Sequence, residues 1–293
     1  MTTTVRPDTE PTQPRTLAPV SRLELEITKR CQLSCGHCFA KSGPAGSHGA
    51  MRSEDWRRVI RQAAEIGTTN IQLIGGELTT HPAWLNLLDY ALSCGQQVEV
   101  FSNLYRIRPQ WWTNLTHPRV TLACSYYSDH AEQHDAITGR IGSHLATRTN
   151  IARAVELGIP LRVEIVDMRP GQRAEEAAAD LRALGVTRVH TDRLRGIGRA
   201  AHRTVPALGE LCGRCGDGRA AVGPNGDVWP CVLARSLPVG NVLTDDLGDI
   251  LTGEKWQETV ATVPRRQARA CNPDSDGDDC SPAEQDACPP SYG

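Results

Sequence analysis

Six short apolar runs, most of them followed by an amphipathic stretch, organise the first two thirds of this chain of 293 residues. Each run holds its apolar side chains within about five to seven residues, which is typical of strands that are buried in a sheet. Strands that alternate with helices favour a parallel α/β fold, because each helix returns the chain to begin the next strand in the same direction. The predicted strands are Arg22–Ile27, Asn70–Ile74, Gln97–Phe101, Arg119–Cys124, Leu161–Val166 and Arg188–Asp192.

The helical stretches and the length of the repeat set the size of this fold. Helices are predicted to begin near Ser53, Pro82, Ser143 and Arg173, with the Ser53 hydroxyl capping the first of them. A full eight-fold barrel needs about 250 residues, more than the alternating part offers. We therefore expect an α/β fold with a partial (β/α)6 TIM-like barrel over residues 20–200. A disordered Thr- and Pro-rich tail is expected over residues 1–19, and a small Cys-rich domain over residues 201–293.

Three cysteines, Cys31, Cys35 and Cys38, come directly after the first predicted strand. A loop with C-x3-C-x2-C spacing can wrap three thiolates around one face of a cubic 4Fe–4S cluster, which leaves the fourth iron without a protein ligand. An open iron favours chemistry, whereas a closed four-thiolate site mainly stores or relays electrons. A zinc site is the alternative, with His37 or a more distant residue as its fourth ligand. Zinc sites usually use paired C-x2-4-C knuckles instead of such a triplet.

Polar residues follow several of the predicted strands. The carboxyl ends of parallel strands meet at one edge of the sheet, where functional residues of such folds lie. The second strand ends in Gly75-Gly76-Glu77, where glycines allow close approach of a ligand and a carboxylate suits an ammonium group. A plain turn and strand-end capping are the structural alternatives. The other polar candidates on or after these strands are Ser102, Asn103, Ser125, Arg162 and Glu164.

The cysteine triplet and the Gly-Gly-Glu motif together resemble the signature of the radical S-adenosylmethionine (radical SAM) enzymes, although Leu78 stands where that family has Pro. The resemblance implies that the open iron chelates the amino and carboxylate groups of SAM. It also implies that one-electron cleavage of SAM gives a 5′-deoxyadenosyl radical, which removes hydrogen from the substrate. The residues that the resemblance assigns to SAM are Gly75, Gly76 and Glu77 at the amino group, His37 and Phe39 beside the adenine, and Asn103, Ser125 and Arg162 at the ribose or carboxylate.

The last third of the chain carries further cysteines, namely Cys212, Cys215, Cys231, Cys271, Cys280 and Cys288. The C-x10-G-x4-C hairpin through Gly226 resembles the first half of the SPASM domain, which carries auxiliary iron–sulfur clusters in radical SAM peptide-modifying enzymes. The spacing of the SPASM second half is absent. Six cysteines suffice for one complete four-thiolate cluster or for two incompletely ligated ones. A one-cluster, twitch-like site is the more economical prediction.

In that prediction Cys212, Cys215 and Cys231 are ligands of the auxiliary 4Fe–4S cluster, and at least one of the later three cysteines completes the site. A cysteine that stays unligated near the active site has a second use, because a thiol can quench a carbon radical by donating hydrogen. Cys280 and Cys288 are the candidates for that role.

Other conspicuous patterns are interpreted as structural. His130 and His134 have metal-pair spacing, but no Glu follows the first of them, so the run 132–139 is expected to be a polar turn. The charged loop 192–199 resembles the radical SAM family at this position, and an ordinary solvated loop explains its charges almost as well. The acidic run 272–279 imitates a calcium loop but places Ala283 where a bidentate Glu is required. Cys94 and Cys124 are expected to be packing residues.

Composition narrows the function classes. A net charge of −2 gives a nucleic-acid partner no electrostatic support, and no apolar run is long enough to cross a membrane. Eleven cysteines without a signal peptide favour a reducing cytoplasm and metal ligation over a disulfide framework.

The leading hypothesis is a cytoplasmic radical SAM enzyme that crosslinks or epimerises a ribosomally made precursor peptide. Its expected partners are that peptide, a reductant such as flavodoxin or ferredoxin, and a separate leader-binding protein, because only about twenty residues precede the first strand. The alternatives are a radical SAM enzyme of sugar or nucleoside biosynthesis, and a non-catalytic iron–sulfur electron carrier.

Overall fold

The computed structural model of the protein describes residues 18–202 and 204–264. The predicted tail over residues 1–19 lies almost wholly outside the described residues, and so do Cys271, Cys280 and Cys288.

One sheet runs through the described part of the chain. Its strands are ordered β6-β5-β4-β3-β2-β1-β7-β8-β9, and those from β6 to β7 in this order are parallel, while β8 and β9 continue antiparallel. The open parallel array with helices between its strands confirms the predicted α/β fold class. The strands are β1 (Arg22–Glu26), β2 (Asn70–Ile74), β3 (Gln97–Phe101), β4 (Val120–Tyr126), β5 (Leu161–Asp167), β6 (Arg188–Arg193), β7 (Arg219–Val222), β8 (Asp227–Trp229) and β9 (Gly240–Asn241).

The helices are α1 (Ser53–Glu65), α2 (Trp84–Ser93), α3 (Trp112–Leu115), α4 (Ala131–Thr138), α5 (Ser143–Glu156), α6 (Ala174–Ala183), α7 (Leu247–Thr252) and α8 (Glu254–Thr262). The prediction that Ser53 caps α1 is wrong. Arg52 holds the N-cap position, and the Asp55 carboxylate in the first turn accepts the backbone N–H of Arg52 at 2.9 Å, which is the N3 half of a capping box.

The expectation that residues 132–139 form a polar turn is wrong, because helix α4 covers most of them. Its sequence offers few apolar side chains, so its helical state depends on contacts that the sequence does not display. His134 is buried against neighbouring rings, and the Thr138 carbonyl accepts the Ser34 N–H at 2.9 Å. Tertiary contacts therefore override a weak local signal.

The two faces of the sheet differ in chemistry. Leu23, Leu25, Ile71, Val100 and Val163 are fully or almost fully buried in the main hydrophobic core. Because side chains alternate along a strand, the intervening residues lie on the opposite face. We call this the polar face, and its members on β1, β2, β3 and β5 are Arg22, Glu24, Glu26, Gln72, Glu99, Arg162 and Glu164.

Ion pairs connect these strands across the polar face. Arg162 donates from Nε and Nη2 to the two carboxylate oxygens of Glu99, at 2.8 Å each, and also pairs with Glu164. Arg22 and Gln72 donate to the same carboxylate of Glu99. Burial opposes ionisation of Glu99, yet the hydrogen bonds from Arg162 and the charges of both arginines lower its pKa to about 2. Glu99 is therefore the shared anion of the polar face.

The chain after residue 201 continues the same sheet. Strand β7 lies parallel to β1, with Val222 opposite Leu25, and the predicted hairpin is formed by β7 and β8 around Gly226. Val222, Trp256 and Val260 join the main core. Residues 219–263 gain stability from burial, because their apolar side chains pack into the existing core. The domain boundary near residue 200 stays a prediction.

The pairing of Glu99 gives the protein an acid-sensitive stability. Its folded pKa lies below the ordinary value of 4.5, so the stabilisation is present above pH 4.5 and is lost as the pH falls toward 2. We expect the free energy of unfolding of the unmodified protein to exceed that of Glu99→Gln by about 3 kcal/mol near pH 7. This difference should shrink steadily as the pH falls from 4.5 to 2. Urea unfolding of both proteins as a function of pH measures it.

Glu65→Gln is the matched control, because the Arg61–Glu65 pair is about half exposed on α1 and should contribute little. A difference between the native protein and Glu99→Gln that does not depend on pH would contradict the assigned ion pairing.

Candidate functional site

The cysteine loop, residues 31–43, begins just beyond β1 and is fastened at several points. The Cys31 N–H donates to the Gly43 carbonyl at 3.0 Å and closes the loop on itself. Ser34 and Gly36 donate to carbonyls in the last turn of α4, at 2.9 and 3.4 Å. All three thiols are free, and Cys31 is buried. The backbone thus holds the triplet at the carboxyl edge of the sheet, where the sequence places it.

The three thiols influence one another electrostatically. Burial, the Glu77 carboxylate and the neighbouring thiols raise the pKa of Cys31 to about 12. Burial and Cys38 likewise raise the pKa of Cys35 to about 12. Thiolates so placed need a positive partner, and a metal cluster supplies one. The chemistry of this donor set therefore fits an iron–sulfur cluster that is held by three thiolates.

Hydrogen bonds to sulfur add to this fit. The backbone N–H groups of Leu33 and Ser42 each lie 3.4 Å from a sulfur, that of Cys31 and that of Cys38 respectively. The Asn103 side-chain amide lies 3.6 Å from the Cys31 sulfur. Such donors stabilise thiolates and tune the potential of a cluster.

Gly75 and Gly76 have a structural use that the sequence did not reveal. A Cβ on Gly76 would lie 2.5 Å from the Arg30 carbonyl oxygen, and one on Gly75 would lie 2.8 Å from that of Thr28. The space next to both glycines is thus filled by the backbone that leads into the cysteine loop. Gly76 and Glu77 donate their N–H groups to the same two carbonyls, at 2.6 and 2.8 Å. Their assignment to SAM stays a prediction.

Glu77 is almost fully buried, and its carboxylate joins the ends of β2 and β3. Oε1 accepts the backbone N–H and the hydroxyl of Thr79, at 3.1 and 2.7 Å, and the Ser102 hydroxyl at 2.9 Å. Oε2 accepts the Asn103 backbone N–H at 2.8 Å. Burial raises the pKa of Glu77, and these hydrogen bonds oppose that rise. Oε2 has room for one more donor, so an ammonium group still fits.

Asn103 reaches the cysteine loop directly. Its Oδ1 accepts from the Gln32 side chain at 3.3 Å, while its Nδ2 faces the Cys31 sulfur. The next residue, Leu104, is buried with a φ of 51°, a strained conformation for a branched side chain. Two residues of α5 hold this turn: Thr147 donates to the Asn103 carbonyl and Asn150 to the Leu104 carbonyl, at 2.9 and 2.7 Å.

Tyr127 is a site residue that the sequence reading missed. Its hydroxyl lies 3.1 Å from His37 Nε2, the two rings are in edge contact at 4.9 Å, and Ser125 hydrogen-bonds to the same tyrosine. The signal was available, because Tyr127 directly follows β4 at the same edge as Ser125. Burial and the charge of Arg199 lower the pKa of His37 to about 4, so its imidazole is neutral at physiological pH.

Phe39 and Arg162 make contacts with other residues. The guanidinium of Arg235 sits over the Phe39 ring at 5.2 Å and over the Trp229 ring at 5.0 Å, and it pairs with buried Glu26. Arg162 is committed to Glu99 and Glu164 on the polar face. This geometry favours a structural role for Arg162, and the assignments of both residues to SAM stay predictions.

A second group of thiols lies in the hairpin region. Cys215 and Cys231 are buried with their sulfurs 2.8 Å apart, which is longer than the disulfide bond length of about 2.05 Å. The Cys215 thiol, together with Arg219 and Arg195, lowers the pKa of Cys212 to about 5. Contact with both other cysteines raises the pKa of Cys215. Clustered thiols with cationic neighbours fit a metal site.

The remaining candidates are structural, as predicted. Cys124 lies in the main core and Cys94 packs against it. His134 is buried with its Nδ1 3.2 Å from the Ser143 hydroxyl, and His130 is the N-cap residue of α4. Within residues 18–202 and 204–264, no helix has the length and apolar character needed to cross a membrane.

Comparisons with known proteins agree with this arrangement. The family model of the radical SAM superfamily matches residues 25–184, and that of the SPASM iron–sulfur cluster-binding domain matches residues 212–281.

Two curated proteins are similar over most of the chain. The antilisterial bacteriocin subtilosin biosynthesis protein AlbA of Bacillus subtilis is 25% identical over 82% of this chain and 61% of its own length. The mycofactocin maturase MftC of Mycobacterium tuberculosis is 28% identical over 76% of this chain and 68% of its own length. This chain thus spans about two thirds of the length of these relatives.

Solved structures share the fold. Streptococcus suis SuiB bound to S-adenosylmethionine superposes with a TM-score of 0.69 at 17% identity, over 82% of this chain and 68% of that one. The protein anSMEcpe bound to AdoMet and a peptide superposes with a TM-score of 0.64 at 12% identity, over 84% of both chains.

The hydrogen bonds that the Glu77 carboxylate accepts give a prediction for Glu77→Gln. In either orientation the new NH2 group would face a backbone N–H, that of Asn103 or that of Thr79, so two buried donors would oppose each other. We expect the free energy of unfolding to fall by about 1–3 kcal/mol even without SAM, as measured by urea unfolding.

Ser102→Ala is the milder comparison, because it removes one of the donors to Oε1 and the acceptor of the Leu104 N–H but creates no opposed pair. Equal stability of Glu77→Gln and the unmodified protein would show that the carboxylate does not join β2 to β3 as described.

Proposed function

The chain belongs to the radical SAM superfamily, and from this membership we propose that it holds a 4Fe–4S cluster at Cys31, Cys35 and Cys38 and cleaves SAM there by one-electron reduction. The observation that carries the proposal is the placement of three free thiols in one loop at the carboxyl edge of the sheet, with the Asn103 amide at the Cys31 sulfur and the Glu77 charge acting on it, inside the segment that the superfamily model matches.

When bound, the cluster and SAM would supply a 5′-deoxyadenosyl radical, which removes a hydrogen atom from a carbon of the substrate. The chain's own residues orient and shield this site. The Asn103 amide faces the Cys31 sulfur and so stabilises that ligand as a thiolate. Glu77 Oε2 offers the remaining acceptor position to the SAM ammonium group. Neutral His37, held by Tyr127, gives the adenine an apolar edge without adding a charge.

The substrate that we propose is a ribosomally made precursor peptide, in which the enzyme forms a crosslink or an epimerised centre. The support comes from similar proteins, whose names include a bacteriocin biosynthesis protein, mycofactocin maturases and PqqA peptide cyclases. A crosslink removes two hydrogens from the peptide. One leaves as a hydrogen atom in 5′-deoxyadenosine, and the other leaves as a proton and an electron. The second iron–sulfur site is a suitable acceptor for that electron.

For this auxiliary 4Fe–4S cluster we propose Cys212, Cys215 and Cys231 as ligands, because their thiols are clustered and lie within the match to the SPASM model. Cys271 and Cys280 also fall within that match, whereas Cys288 lies beyond its end at residue 281. We therefore favour Cys271 or Cys280 as the fourth ligand, and Cys280 or Cys288 remains the candidate hydrogen donor.

The reaction needs partners. We propose a one-electron reductant of the flavodoxin or ferredoxin kind, a separate leader-binding protein that presents the peptide, and a cytoplasmic location, where cysteines stay reduced.

Anaerobic incubation with SAM and a reductant tests the function. We expect 5′-deoxyadenosine well above background. With the precursor peptide we expect either a mass loss of two hydrogens, for a crosslink, or deuterium uptake from solvent without other mass change, for epimerisation. Absence of 5′-deoxyadenosine in a cluster-loaded preparation would favour a non-catalytic electron carrier. SAM cleavage that no peptide stimulates would favour a small-molecule substrate.

The same assay separates the roles of the three last cysteines. An Ala variant of a ligand should lose iron, whereas an Ala variant of a hydrogen donor should keep its iron and still form 5′-deoxyadenosine, but give no product. If all three single variants kept their iron, ligation of the auxiliary cluster by this segment would be wrong.

A further inference from the structure

Arg199, in the segment that follows β6, grips the backbone of the cysteine loop. Its Nε donates to the Cys35 carbonyl at 2.8 Å and its Nη2 to the Ser42 carbonyl at 2.7 Å. Its backbone N–H donates to the Cys38 carbonyl at 3.0 Å. Three donors of a single residue therefore end on the loop, and two of them reach the peptide groups of proposed cluster ligands.

The residue before Arg199 has to be glycine for this grip. Gly198 has a φ of +64°, and a Cβ there would lie 2.4 Å from the Cys38 carbonyl oxygen and 2.3 Å from that of Phe39. Such distances are well inside van der Waals contact, and the facing atoms are backbone. Any side chain at this position would push the segment away from the loop.

Other contacts anchor this segment on the side away from the loop. Arg195 pairs with Asp192 at 2.8 Å, and the Gly196 N–H donates to the Glu210 carboxylate at 3.0 Å. Ile197 is buried. These contacts restrict the movement of the segment that carries Arg199. Glu210 lies two residues before Cys212, which belongs to the second thiol group.

The charge of Arg199 has a chemical consequence at this place. A guanidinium stays protonated at any physiological pH. A cluster gains one negative charge on reduction, and a fixed cation that is hydrogen-bonded to the peptide groups of its ligands stabilises that state more than the oxidised one.

We propose that Arg199 is a positioning residue of the cluster loop: its hydrogen bonds fix the backbone of Cys35 and Cys38, and its charge favours one-electron reduction of the cluster. The part about reduction rests on the proposed function, whereas the part about the backbone does not.

Three substitutions separate the two effects. Arg199→Met removes both the hydrogen bonds and the charge, Arg199→Gln removes the charge and keeps a donor, and Arg199→Lys keeps the charge but cannot span two carbonyls. Arg193→Met is the matched control, because Arg193 is the last residue of β6, directly before this segment, pairs with Glu210 at 2.9 Å and is 57% exposed. Gly198→Ala displaces the segment with Arg199 intact.

Hydrogen exchange of the backbone amides of residues 31–43 tests the grip in the protein as isolated. We expect at least tenfold faster exchange in Arg199→Met and Gly198→Ala, and unchanged exchange in Arg193→Met. Unchanged exchange in Arg199→Met would overturn the positioning role, whether or not the protein is an enzyme.

A redox titration, followed by the EPR signal that changes on addition of SAM, tests the charge. The equilibrium constant for one-electron reduction should fall at least tenfold in Arg199→Gln relative to Arg199→Lys, which corresponds to 59 mV. Equal potentials of these two variants would overturn the electrostatic part. If the unmodified protein showed no SAM-responsive signal, the proposed function would fail, while the exchange experiment would still decide the grip.

Discussion

The backbone hydrogen bonds between the end of β2 and the entrance of the cysteine loop are the contacts on which the site depends. Gly76 and Glu77 donate to the carbonyls of Thr28 and Arg30, so the β1–β2 ladder continues past the strands into the loop. At Gly75 and Gly76 only a residue without Cβ fits this approach. The same two peptide groups bring the Glu77 carboxylate under Asn103, which faces the Cys31 sulfur. The pairing of β1 with β2, the burial of Glu77 and the orientation of the Cys31 thiol therefore depend on one another.

Cations from the second half of the chain complete the arrangement from the other side. Arg199 grips the loop through carbonyls, and Arg235 stacks on Phe39 next to Cys38 while it pairs with Glu26 on β1. Both arginines come from sequence between β6 and the end of the hairpin region, which also supplies the second thiol group. Because β7 pairs with β1, this region is part of the main sheet. The two thiol groups are therefore linked by packing and ion pairs in one framework.

Much of the fold and the nature of the site could be predicted from the sequence, because those signals are local. Apolar periodicity located β1 to β6, and cysteine spacing identified both thiol groups. What the sequence could not show depends on contacts between distant residues. Helix α4 forms against the cysteine loop, β7 chooses β1 as its neighbour, and Glu77 finds its donors on β3. The glycines before Glu77 were assigned to a ligand, whereas their tightest contacts are with the chain's own backbone. Tyr127 could have been found from its position alone.

We propose that the triplet forms an open cluster that binds SAM, separate from a second cluster at the hairpin. Iron content and EPR spectra of the variant in which Cys31, Cys35 and Cys38 are all Ala, recorded with and without SAM, test it most directly. We expect loss of one cluster's worth of iron, loss of every SAM-induced spectral change, and retention of the remaining iron by Cys212, Cys215 and Cys231. A spectrum that still responds to SAM in this variant, or complete loss of iron from a folded protein, would overturn the assignment of the triplet to a separate SAM-binding cluster.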